Sequence, residues 1–163
     1  MWLFVRQGAF YLAVVCEVDE PEALEPCGVL GVNLGQTNLA TDSTGERFSG
    51  EALQRVRLRY ARLGQRLQKR GTQSARRHLR KLARKQRRFA QTTNHTLAKG
   101  LVEKAQRHRA ALALKDLKGL RARTTVGQAR RLRHHAWPYA QLRSFVAYKA
   151  ALAGVPVSPE GPG

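Results

Sequence analysis

Fifteen lysines and arginines lie between Arg55 and Arg88, and no aspartate or glutamate interrupts them. Arginine dominates the run. Its planar guanidinium donates two parallel hydrogen bonds to a phosphate, whereas lysine offers a point charge. The chemistry open to such a run is the neutralisation of a polyanion. On a helix the run is costly: Arg62/Arg66, Arg76/Arg80, Arg77/Lys81, Arg80/Arg84, Lys81/Lys85 and Arg84/Arg88 are like-charge pairs four residues apart. Each such pair destabilises a helix by about 0.2–0.5 kcal/mol. A purely solvated face mixes its signs instead. The residues expected to meet phosphate are Arg62, Arg66, Lys69, Arg70, Arg76, Arg77, Arg80, Lys81, Arg84, Lys85, Arg87 and Arg88. Nothing among them specifies bases, so contact with backbone and shape is expected.

Other reactive side chains are few. Cys16 and Cys27 form neither a disulfide framework nor a CxxC metal knuckle, and they read as free thiols of a reducing cytoplasm. His95 and the pair His134-His135 suit packing or phosphate contact better than a ligand set, because no second cluster of metal-binding residues accompanies them. Asp42 closes an expected strand and reads equally as a turn residue. Asp116 follows Lys115, and consecutive strand residues point to opposite faces.

The elements that must position these groups follow from periodicity. Trp2 to Val5 and Phe10 to Val15 read as strands joined at Gln7-Gly8. The acidic, proline-bearing segment after them reads as a linker. Val29 to Leu34, Asn38 to Asp42 and Glu46 to Phe48 read as three more strands, with Ser43-Thr44-Gly45 as a hairpin turn. Leu53, Val56, Tyr60, Leu63 and Leu67 recur at helical spacing, with Ser49 as the expected cap and Gly71 as the breaker. A second helix is expected from about Ser74 to Arg107, with a bend near Thr92-Thr93-Asn94. Ala110 to Leu114 is a buried strand. Trp137-Pro138 opens a last helix, with Pro138 in its first turn. Leu142, Phe145, Val146 and Leu152 form that helix's buried side, Gly154 ends it, and Val155 to Val157 begins a further strand.

The chain has 163 residues and a formal net charge of +19, far beyond what solubility requires. Residues 1–51 carry two basic and eight acidic groups, residues 52–163 carry 28 basic and three acidic ones. A basic working surface is therefore attached to a more ordinary scaffold. Hydrophobic residues make up 42%, enough for one core and too many for wholesale disorder. No segment approaches the ~20 apolar residues of a spanning helix, so no membrane is expected as a partner.

The segment GVLGVNLGQTNLATDSTGE resembles the opening strands of a RuvC-like, RNase H-type nuclease domain, whose usual form is G-[VI]-D-L-G. FAQTTNHTLAKGLVEKAQRHRAALALKDLKGLRAR is similar to the segment leading into the second catalytic strand of TnpB-type proteins, the transposon-encoded RNA-guided nucleases related to type V CRISPR effectors. HHAWPYAQLRSFVAYKAALAGVPV resembles the helix and strand that follow in that family. The three segments occur in the family's order and cover most of residues 28–157.

The resemblance implies an α/β chain with an incomplete RNase H-like (RuvC-type) fold, a long basic helical insert at about 51–107 and an N-terminal β-hairpin. Residues 1–20 are then the remnant of a preceding β-rich module, 21–27 a linker and 158–163 a disordered tail. The family hydrolyses phosphodiesters with two Mg²⁺ or Mn²⁺ ions held by carboxylates. The family's first aspartate falls on Asn33 and its glutamate on Lys115. The third carboxylate and a structural zinc motif of the family fall beyond the last residue, and the recognition region falls before the first. The expectation is a nuclease-inactive, truncated relative without cofactor that binds RNA or DNA through the insert. An active metal-dependent endonuclease, a non-functional mobile-element relic and an unrelated RNA binder of ribosomal-protein type stay open as alternatives.

Overall fold

A single glycine splits the long basic run into two helices. In the computed structural model, which describes residues 1–6, 8–19, 21–35, 37–115 and 138–158, α1 spans Glu51–Arg70 and α2 spans Gln73–Arg107. Gly71 between them takes φ +64°, a left-handed conformation that residues with a Cβ avoid. Thr72 then starts α2 by accepting the Ala75 N–H on its hydroxyl at 3.2 Å, a side-chain cap. A two-residue link of this kind makes the helices antiparallel neighbours. The start expected at Ser74 therefore lies one residue late. Gly50, not Ser49, occupies the N-cap of α1. The Ser49 hydroxyl accepts the Glu51 N–H at 3.2 Å instead. The bend expected at residues 92–94 does not interrupt α2. Thr93 and Thr96 donate their hydroxyls back to the carbonyls of Phe89 and Thr92, at 2.9 and 3.1 Å, which spends them inside the helix.

Seven strands accompany the helices among the described residues. β1 (Trp2–Arg6) and β2 (Ala9–Ala13) form an antiparallel hairpin of their own. β3 (Gly28–Leu34), β4 (Asn38–Asp42), β5 (Arg47–Ser49), β6 (Ala110–Leu114) and β7 (Val157–Ser158) form one sheet in the order β5-β4-β3-β6-β7. The β3–β4 and β4–β5 pairs are antiparallel, and the β3–β6 and β6–β7 pairs are parallel. A parallel pair needs a crossover, and α1 with α2 supplies it between β5 and β6. β7 reaches Ser158, so the strand runs one residue into the expected tail; residues 159–163 lie outside the described residues.

Side chains on β3 alternate as a strand dictates. Leu30, Val32 and Leu34 are buried, and Val29 is 57% exposed. The buried set packs with Leu112 and Leu114 of β6 against Leu97, Leu101 and Val102 of α2. Leu142, Val146 and Ala150 of α3 (Tyr139–Leu152) close the same core. Pro138 stands at the N-cap of α3 rather than in its first turn, and its carbonyl accepts the Leu142 N–H at 3.1 Å. Asn94, fully buried on α2, donates its amide to that same carbonyl and to Gln141 Oε1, both at 3.1 Å. These bonds fix where α3 begins on α2.

At the other end of α3, Gly154 takes φ +66°, and a Cβ there would overlap the Glu22 carbonyl. Leu24 N–H bonds Gly154 O at 2.8 Å, and Cys27 N–H bonds Arg109 O at 2.7 Å. The acidic segment read as a linker is thus docked on the body. Among the described residues no helix is long and apolar enough to cross a membrane.

Candidate nucleic-acid interface

The basic helices form an arm with its own small seam. Leu67 of α1 and Ala75 and Leu82 of α2 are buried together, with Tyr60 and Leu79 packed on them. This cluster is separate from the main core, which α2 joins only from Phe89 onward. At 1.5 Å per residue, the part of α2 before Phe89 extends roughly 24 Å. Amphipathic spacing explains the arrangement: apolar residues recur on one stripe of each helix and the charges occupy the rest.

All twelve basic residues expected at the interface are exposed. Arg62, Arg66, Lys69 and Arg70 stand on α1; Arg76, Arg77, Arg80, Lys81, Arg84, Lys85, Arg87 and Arg88 stand on the projecting half of α2. Among the described residues none of the twelve has a carboxylate partner within ion-pair distance. Arg57 differs. It is half-buried, and burial pushes its guanidinium below the usual value while the nearby Tyr139 pulls the other way. Burial in turn raises the Tyr139 phenol, against Arg57. The Tyr139 hydroxyl donates to Gly35 O at 2.6 Å, joining the start of α3 to the end of β3.

Asn33 and Lys115 meet at the carboxyl ends of the two adjacent parallel strands. Val32 is in register with Leu114, and the Lys115 N–H bonds Val32 O at 3.1 Å. Asn33 and Lys115 each stand one residue beyond that last registered pair, and both are exposed. Residues 82 positions apart thereby come to neighbouring strand ends, one an amide and the other an ammonium. Neither is an anionic oxygen ligand of the kind a hard divalent cation takes.

Asp42 does not supplement them. It is in register with Val32, while Asn33 is in register with Thr41. Opposed residues share a face and neighbours alternate, so Asp42 points into the core side of the sheet and Asn33 away from it. Asp42 is buried, and its Oδ1 accepts the Thr44 N–H, the Thr44 hydroxyl and the Glu46 N–H at 3.0, 2.7 and 3.0 Å. Its Oδ2 is paired with Lys104 Nζ. Lys104 also bonds Glu46 Oε2 at 2.6 Å and the Thr44 hydroxyl at 2.7 Å. Burial pushes the Asp42 carboxyl up, and the bonds from Lys104, Thr44 and the Glu46 amide outweigh it, leaving it below its usual value. The same bonds to Asp42 and Glu46 raise Lys104.

This network escaped the sequence reading, although a signal existed. Lys104 lies three residues after Leu101 on the stripe Leu97–Leu101–Ala105, where a charged residue must find a partner or leave the core. His95 stacks on Phe145 at 3.8 Å between ring centres, with its Nδ1 3.2 Å from the Tyr148 hydroxyl. It serves packing. His134, His135 and Asp116 lie outside the described residues. Among the described residues, no group of three or more His, Cys, Asp or Glu could hold a metal ion. Cys16 and Cys27 are free and exposed.

Comparison with known proteins places this geometry. A family model described as a probable transposase, OrfB_IS605, matches residues 13–119. No curated protein matches the sequence. Two structures solved by cryo-EM share the fold. One is a Cas12f1–sgRNA–target DNA complex, at 16% identity and a TM-score of 0.65 over 90% of this chain and 38% of that one. The other is a CRISPR-Cas12f ternary complex, at 16% identity and a TM-score of 0.65 over 94% of this chain and 32% of that one. The chain thus spans about a third of the length of these proteins.

Proposed function

The chain belongs to the OrfB_IS605 family of probable transposases, and from that premise we propose that it is a TnpB-type protein that binds RNA or DNA through the α1–α2 arm and does not cleave it. The observation that carries the binding reading is the arm itself: twelve exposed lysines and arginines with no carboxylate partner among the described residues. A helical surface that tolerates so many like charges at i,i+4 is stable when phosphates neutralise it. One of the two structures that share the fold, the Cas12f1 complex, was solved with sgRNA and target DNA, which favours the same ligand class here.

Asn33 and Lys115 support the second half. An RNase H-like nuclease of the RuvC type places carboxylates at these two strand ends, and bound Mg²⁺ or Mn²⁺ there polarises the phosphate and activates water. The residues present do not fit that group. Asn33 offers a neutral oxygen, and the Lys115 ammonium repels a cation from the neighbouring position. Asp42 and Glu46, the nearest carboxylates in the strand pair and its turn, are engaged by Lys104. The chain's own chemistry at this point is therefore hydrogen bonding and charge.

Labelled single-stranded RNA, single-stranded DNA and duplex DNA, incubated with the full chain in Mg²⁺ or Mn²⁺, test both halves together. Retarded, intact nucleic acid is the expected result. Metal-dependent cleavage overturns the inactive reading, and absence of any retardation overturns the binding reading.

A further inference from the structure

The seam of the arm divides its charge. Gly64 of α1 faces Leu82 of α2, where an added Cβ would lie 3.8 Å from the leucine's Cδ2. Tyr60, Gly64 and Leu67 thus mark the seam side of α1, and Ala75, Leu79 and Leu82 that of α2. A helix turns ~100° per residue. On that spacing Arg62, Arg66 and Lys69 stand at least ~120° around α1 from its seam, and Arg77, Arg84 and Arg88 stand at least ~140° around α2 from its own. All six are exposed. The two sets therefore face opposite ways.

The separation is large for electrostatics. Packed helices lie 8–10 Å apart, and each adds a radius of 5–6 Å with side chains, so the outer rows are roughly 20 Å apart. The Debye length at physiological salt is about 8 Å. A phosphate backbone that neutralises one row leaves the other uncompensated and open to a second polyanion. From this geometry we infer that one copy of the chain holds two nucleic-acid segments at once, one on each side of the arm, and so bridges them. The inference rests on the reading that the arm binds nucleic acid, and it adds the number and placement of the ligands. The recognised group is the phosphate backbone, common to RNA and DNA.

Two duplexes of unrelated sequence, one carrying a donor dye and one an acceptor, mixed with the full chain, read out bridging as energy transfer. Mass photometry counts duplexes per chain. The wild type should give energy transfer and particles of one chain with two duplexes. The α1-row variant (Arg62→Gln, Arg66→Gln, Lys69→Gln) and the α2-row variant (Arg77→Gln, Arg84→Gln, Arg88→Gln) should each bind one duplex within about tenfold of wild-type affinity and lose energy transfer. Replacing the five arginines of the two rows by lysine keeps the charge and should keep bridging, which separates loss of charge from loss of folding. Repeating the mixture with two RNA hairpins, and with one of each kind, shows which nucleic acid each row accepts. Binding of one duplex but never two per chain overturns bridging alone. So does equal collapse of single-duplex binding in both row variants while the lysine variant binds normally, because that marks one continuous surface. Failure of the wild type to bind any probe overturns the underlying reading and bridging with it.

Discussion

Asp42 and Lys104 are 62 positions apart and form the one charged pair buried among the described residues. Removing one partner of a buried pair leaves the other desolvated and uncompensated, so Asp42→Asn should melt at a lower temperature than wild type at neutral pH. Because the Asp42 carboxyl is held below its ordinary 3.8 in the folded chain, its contribution is complete above that value and is lost as pH falls through the lowered one. Lys104 is raised above 10.5, so its share is complete below that value and is lost as pH rises past the raised one. Melting curves between pH 2 and 7 should show a shallower acid decline for Asp42→Asn; parallel curves for the two proteins refute the assignment. At the other residue pair, Asn33→Asp with Lys115→Glu sets two carboxylates side by side. Like charges then oppose each other until a cation arrives, so millimolar Mn²⁺ should raise the melting temperature of the double variant and leave wild type unchanged. An equal response of both proteins counts against the site.

The helices divide their stability between two cores. Leu101 is fully buried among β3, β6 and α3, and Leu101→Ala should cost about 3–5 kcal/mol of global stability in denaturant melts. Leu82 belongs only to the small seam of the arm. Leu82→Ala should cost about 2 kcal/mol locally, seen as faster amide exchange over the first three turns of α2 while exchange in β3 and β6 stays slow. Uniform acceleration across the sheet refutes a separately held arm. The caps frame this division. Gly71 in the left-handed region and the Thr72 hydroxyl bond set the reversal between α1 and α2, and that reversal is what turns the two basic rows outward.

For the whole molecule the charge distribution governs behaviour. The net charge is +19, and its densest part projects from the sheet on a narrow arm. If six to ten of these groups meet phosphates, affinity should fall by about 10³–10⁵ between 50 and 200 mM salt. Fluorescence anisotropy at a series of salt concentrations gives the slope, and a flat response removes the arm from the interface. The exposed faces of the β1–β2 hairpin contribute nothing comparable, since Arg6 is its one charged residue.

The sequence alone determined what depends on near neighbours. Strand-forming residue types, turn residues and helical spacing located the seven strands and three helices described, because each of these signals lies within a few consecutive residues. The segregation of charge into residues 55–88, and the breaks at Gly71 and Gly154, were equally legible, since each is a property of a few consecutive residues. The resemblance pointed to the family that residues 13–119 match. Tertiary structure decided what depends on distant partners. It set Lys115 beside Asn33 across a parallel pair, turned Asp42 to the core face by a register of one residue, and gave Lys104 its carboxylates. It also fixed the opposition of the two basic rows. Periodicity tells which face of a helix is apolar, but only the packing of one helix against another says where the remaining faces point.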